Sequence, residues 1–202
     1  MIVGIDFDNT IVCYDGAFHQ AACEQRLIPP DTPVTKGHVR DYLRRIGKED
    51  SWTELQGYVY GSRMETVETF KGAADCIRSL TNRGATVYII SHKTRYPYRG
   101  NRYDLHEAAR NWLASSGFLE TAGLVMDQVF FELTKEEKLS RIGAAGCTHF
   151  IDDLPEILCA EGFPANTARM LFSPDAQTVA CGMLRFASWE EIADYFRGRN
   201  AG

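Results

Sequence analysis

No apolar run in the sequence approaches the roughly twenty residues that a membrane-spanning helix needs. No signal peptide is expected either, because an apolar, strand-like segment already begins at Ile2. Cys13, Cys23, Cys76, Cys147, Cys159 and Cys181 form no C-x-x-C pair and have no histidine at zinc spacing. That excludes a zinc module and points to reduced, mostly buried thiols. Positive charge is in short supply, with 22 Lys and Arg against 27 Asp and Glu, a formal net charge of −5. Such a balance argues against an extended nucleic-acid surface or an anionic-membrane surface, while leaving room for a local basic pocket. Internal repeats and low-complexity tracts are also missing. What is there is a chain of 202 residues, 45% hydrophobic and 24% charged, enough for one domain with a modest insertion. The expectation is a cytoplasmic protein with no membrane partner; oligomeric state is not legible.

Five runs read as strands: "IVGIDFD", "ATVYIIS", "LVMDQVFF", "THFID" and "ARMLF". Helical patterns lie between them. "GAADCIRSLTNRG" carries Ala73, Ile77 and Leu80 at helical spacing and ends at Gly84. "DLHEAARNWLASSG" repeats the pattern with Leu105, Ala108, Ala109 and Leu113, and stops at Gly117. Thr134 with Glu137, and Ser188 with Glu191, read as capping boxes for two further helices. Strands alternating with helices predict an α/β fold, a Rossmann-like parallel sheet in three layers. Residues 14–70 interrupt the alternation. They hold three helical pieces and a break at "PPDTP", too much for a simple crossover. The sequence therefore divides into a core of 1–13 and 71–202 and a small helical insert, 14–70, after the first strand.

The first strand ends in "DFDNT". Residues two apart on a strand face the same side, so Asp6 and Asp8 would share one small space. Two buried anions repel unless a proton or a cation relieves them. Ser91 and the pair Asp152 and Asp153 also fall at strand ends, where parallel sheets bind ligands. Each has a plainer reading. Asp8-Asn9 is good turn chemistry, Ser91 can be a turn residue, and Asp152 or Asp153 can cap the helix at "LPEILCAEG". The loop after Ser91 gathers Lys93, Arg95, Arg99 and Arg102 with Tyr96, Tyr98 and Tyr103, and meets no acid before Asp104. It reads either as a grip on an anionic or ring-bearing group, or as a solvated loop. Trp52, Tyr58 and Tyr60 read as insert core.

In order along the chain, "DFDNT", "VYIISHKT", a lysine at a helix start and "HFIDDLPE" resemble the four motifs of the haloacid dehalogenase superfamily. The resemblance spans nearly the whole chain and implies that family's fold, with a cap where the insert lies. It implies a magnesium-dependent phosphatase acting on a small, soluble phosphate monoester such as a sugar phosphate or a nucleotide. Asp6 would attack phosphorus to form an aspartyl-phosphate, and Asp8 would serve as general acid and then base. Asp6, the carbonyl of Asp8, and Asp152 would hold Mg2+, with Asp153 close by. Ser91 would bond a phosphoryl oxygen. Asn9, Thr10, His92, Lys93 and Arg95 would touch substrate. The lysine is Lys135 or Lys138; Lys135 is preferred because the first helical position lies closest to the strand ends. Alternatives are a phosphomutase, a nucleic-acid end phosphatase, or a non-catalytic binding module on the same fold. Dehalogenase activity is disfavoured by the acid at Asp8.

Overall fold

The computed structural model describes residues 1–174 and 182–198, so Cys181 lies outside the described residues. In chain order the elements are β1 (Ile2–Ile5), β2 (Val12–Cys13), α1 (Asp15–Glu24), α2 (Lys36–Arg45), α3 (Glu49–Ser62), β3 (Glu68–Thr69) and α4 (Ala73–Asn82). They continue with β4 (Thr86–His92), α5 (Leu105–Ser115), α6 (Phe118–Ala122), β5 (Val129–Glu132), α7 (Lys135–Ala144) and β6 (His149–Asp152). The last are α8 (Pro155–Leu158), β7 (Ala168–Phe172), β8 (Leu184–Phe186) and α9 (Trp189–Gly198). Six strands form one sheet in the order β5-β4-β1-β6-β7-β8, and every neighbouring pair is parallel. β2 and β3 pair in a separate two-stranded sheet.

The strand order locates the site. From β1 the chain fills the sheet outward through β4 and β5, then returns to the other side of β1 for β6, β7 and β8. β1 is therefore the switch point, and sheets of this kind bind ligands beyond the carboxyl ends of the strands at that point. Being buried on both faces, the strands are near-continuously apolar. On one face Ile90, Phe150 and Leu171 form a cluster with Leu139 and Ile142 of α7 and Ile157 and Leu158 of α8. Alternation turns the buried Val87, Ile89 and Ile151 to the opposite face. That face belongs to α4 and α9, which pack on each other and bury Ile77, Leu80, Ile192 and Phe196.

The chain divides into two compact units. One comprises Met1–Ile11, Thr69–Lys93 and Gly117–Gly202; the other comprises Val12–Glu68 and Thr94–Ser116. The second unit thus takes in residues 94–116, which the sequence pattern groups with the core. Within it, α5 packs on α3. Gly57 and Gly61 let the segment that leads into α5 lie close on α3: a Cβ on Gly57 would lie 2.6 Å from Pro97, and one on Gly61 would collide with the Tyr103 ring. Tyr14, Phe18, Trp52 and Tyr60 form an aromatic cluster in the same unit, with Tyr14 and Tyr60 centroids 4.8 Å apart. Trp52 is buried and Tyr60 half-buried, as insert core requires.

The thiols are less uniformly buried than expected. Cys76 and Cys147 are buried, and burial pushes their pKa values up to about 12 and about 11. Cys13 and Cys23 are half-buried and Cys159 is exposed. No helix among the described residues is long and apolar enough to cross a membrane.

Candidate active site

The parallel ladder itself assembles the candidate site. The Asp6 N–H donates to the Ile151 carbonyl at 2.9 Å, which carries the β1–β6 pairing one residue past β1 and sets Asp6 beside the end of β6. On the other side of β1, β4 runs with Ile5 opposite Ile89. Continued past β1, that register sets Ile90 opposite Asp6, and the side chains of Ser91 and Lys93, each one residue further along, reach Asp6 and Asp8. Ser91 Oγ donates to Asp6 Oδ1 at 2.8 Å. Lys93 Nζ donates to both Asp8 oxygens, at 2.7 and 3.0 Å. Both pairings span 85 residues, the same one-residue offset from the ladder's own pairing. The Lys93 N–H donates to the Glu132 carbonyl at 2.8 Å, so its backbone still follows the sheet.

α7 supplies the second ammonium. Thr134 caps it, accepting from the Glu137 N–H, while the Glu137 carboxylate accepts from the Thr134 N–H, so the expected capping box is present. Lys138 Nζ donates to Asp6 Oδ1 and to Asp152 Oδ2, both at 2.6 Å. Lys135 is exposed. The preference for Lys135 is thereby reversed, for a geometric reason. Helical side chains slant back toward the N-terminus. A lysine one turn in therefore lies over the strand ends, whereas one at the first position projects past them into solvent.

Asp6, Asp152 and Asp153 offer carboxylate oxygens that all lie within 4.8 Å of one another. Asp152 is fully buried and Asp6 nearly so. Burial, reinforced by the charge of Asp6, raises the Asp152 pKa well above the ordinary carboxylate value, against the pull of Lys138. Burial opposes the Lys138 ammonium as well, but Asp6 and Asp152 outweigh it and raise its pKa. The three carboxylates of Asp6, Asp152 and Asp153 make an all-oxygen donor set, which suits a hard divalent cation.

The remaining candidates fall into place unevenly. Asn9 takes the left-handed turn, with φ 56°. Thr10 is buried; its carbonyl accepts from Trp189 Nε1, and its Oγ1 has no hydrogen-bond partner among the described residues. His92 is half-buried, and burial, then Lys138, lowers its pKa. Arg95 belongs to the second unit, where it is exposed and pairs with Asp104 at 2.9 Å. The cap of α8 falls at Leu154, whose N–H donates to Asp152 Oδ1; Asp153 is not the cap. The structure thus gathers Asp6, Asp8, Ser91, Lys93, Lys138, Asp152 and Asp153, and leaves Lys135 out. Sequence reasoning missed the pairing of Lys93 with Asp8. The signal was present: two acids two apart on one strand, and Ser91 and Lys93 two apart on another.

No family model matches the sequence, and no curated protein does. Solved structures do match. A haloacid dehalogenase-like family hydrolase from Streptococcus pneumoniae superposes with a TM-score of 0.62 at 13% identity, over 96% of this chain and 97% of that one. A HAD family hydrolase from Deinococcus radiodurans, solved with bound phosphate and sodium, gives 0.60 at 16% identity, over 98% of this chain and 96% of that one. The fold is the haloacid dehalogenase fold. A "predicted phosphatase" from Clostridium acetobutylicum shares it, with a TM-score of 0.59 at 12% identity and 98% of each chain covered. In this chain the haloacid dehalogenase fold extends through both units.

Proposed function

We propose that the protein is a magnesium-dependent phosphatase that hydrolyses a small phosphate monoester through a phosphorylated Asp6. One observation carries the reading: a buried Asp6 carboxylate held by Ser91 and Lys138 at the end of the central strand, beside Asp152 and Asp153. A purely structural aspartate would not need a serine, a lysine and two further carboxylates around it. The phosphate and sodium bound by the Deinococcus neighbour support the same reading.

Ser91 and Lys138 both donate to Oδ1 of Asp6, which leaves Oδ2 to attack phosphorus. The new P–O bond forms as the ester P–O bond breaks, and Asp8 gives its proton to the leaving oxygen. Asp8 then takes a proton from water as that water attacks the acyl phosphate. Breaking the bond from phosphorus to Asp6 returns the carboxylate and releases inorganic phosphate. Lys138 offsets charge on Asp6 throughout, and Ser91 holds the carboxylate plane. Asp6, the Asp8 carbonyl, Asp152 and Asp153 would hold the magnesium, which supplies charge neutralisation at the phosphoryl group.

A chromogenic phosphatase assay tests this. Wild-type protein with magnesium should hydrolyse the ester, excess chelator should abolish turnover, and Asp6→Asn should show none. Full activity in chelator would remove the metal assignment, and near-normal turnover by Asp6→Asn would remove the covalent route.

A further inference from the structure

We infer that Lys93 reads a second anionic group on the substrate, so that the preferred esters carry a carboxylate or a second phosphate close to the leaving oxygen. The inference rests on the reading of Asp8 as the acid for that oxygen. If Asp8 faces the leaving group, an ammonium bonded to both Asp8 oxygens stands on the leaving-group side, away from the transferred phosphoryl.

The phosphoryl side already has its cation. Lys138 serves Asp6 and Asp152 at 2.6 Å each and is 2% exposed. Lys93 is a second, separate investment of charge: its side chain is 3% exposed, against 20% for its partner Asp8. Burying a lysine costs solvation and the freedom of a long side chain. Orienting a partly exposed carboxylate does not require that; a neutral donor such as the hydroxyl that Ser91 gives Asp6 would serve. The difference between the two positions is charge. With Asp8 protonated as the acid, the leaving-group side would carry no charge of its own; with Lys93 it carries a positive one, which an acidic leaving group complements.

Lysine also fits the task mechanically. Its ammonium has three donors on a rotatable stem, and two of them meet Asp8. Exchanging one of those bonds for an incoming anion keeps the other, so Asp8 stays in place while the ligand is gripped. A neutral leaving group offers nothing to take that bond. The outcome is selectivity for doubly anionic phosphate esters.

Binding tests this without turnover. Phosphonopropionate is carboxymethyl phosphate with a methylene in place of the ester oxygen, and its amide is the neutral counterpart. Calorimetry on the wild-type protein with magnesium at neutral pH should find the carboxylate bound about tenfold or more tightly than the amide, the size expected of one charge-assisted bond. Lys93→Arg should keep most of that ratio, and Lys93→Met should bring it near one. Equal affinities in the wild type, no binding of either compound, or a ratio that survives Lys93→Met would each overturn the inference. Because the phosphonates are not hydrolysed, a protein that selects the carboxylate but fails the phosphatase assay would refute the catalytic reading alone.

Discussion

Lys135 and Lys138 are three residues apart on one helix, and only Lys138 reaches Asp6. Their substitution separates position from charge. Lys135→Met removes an exposed charge and should leave turnover within about twofold, as surface changes away from a site usually do. Lys138→Met strips the cation from Asp6 and, on the proposed mechanism, should lower kcat by about a hundredfold or more, the scale of losing an oxyanion-type contact. It also strands Asp6 and Asp152 in a buried site, at a cost on the order of 3–5 kcal/mol. Initial rates and urea midpoints of both variants check this. A larger kinetic loss for Lys135→Met would return the active-site role to that residue.

At the level of elements, the sequence was legible where local chemistry and burial agree. Thr134 and Glu137 form their capping box, and Gly84 and Gly117 take positive φ after α4 and α5. "IVGID", "ATVYIIS", "THFID" and "ARMLF" are strands, because few other elements make runs so short and so apolar. Legibility failed where an apolar run could not mark its own start. "LVMDQVFF" reads as one strand, yet the strand itself covers Val129–Glu132; Met126–Gln128 makes a tight turn in which the Gln128 side chain bonds the Val125 N–H and the Val87 carbonyl. The edge strand Leu184–Phe186 escaped notice because three residues carry no usable period. The carboxylates were visible because aspartate at a strand end is expensive. Lys93 was harder, since its partner depends on the register of two distant segments.

For the whole molecule, the division into units changes what a truncation would do. Residues 14–70 look separable in sequence, yet the unit they belong to also contains Thr94–Ser116. Within that unit α5 buries Leu105, Ala109, Trp112 and Leu113, and the Trp112 indole donates to the Val67 carbonyl at 3.2 Å. Replacing 14–70 by a short Gly/Ser linker should therefore strand α5 with its apolar face in water, and the product should associate or precipitate. Removing 94–116 as well, with a second linker, should give a better-behaved protein that keeps Asp6, Ser91 and Lys138. Size-exclusion chromatography of the two truncations decides the point; a clean monomer from the first would show that residues 94–116 hold together without the insert.

The two pairings that share a spacing of 85 residues do more than shape a site; they proofread the sheet around it. A slip of β4 by two residues along β1 keeps every apolar side chain on its proper face, so the hydrophobic pattern alone barely opposes it. The polar ends do oppose it. One slip sets Asp6 against Ile89 and Asp8 against Ser91; the other brings Lys93 to an Asp6 that Lys138 already serves. Neither slip can spare one pairing, because both depend on the same offset. The double variant Ser91→Ala with Lys93→Met should accordingly refold from urea with a lower yield of native near-ultraviolet circular dichroism than the wild type. An equal yield would mean that the apolar strands find their register unaided. On this account the residues proposed for chemistry also act as the alignment marks by which the central strands recognise each other.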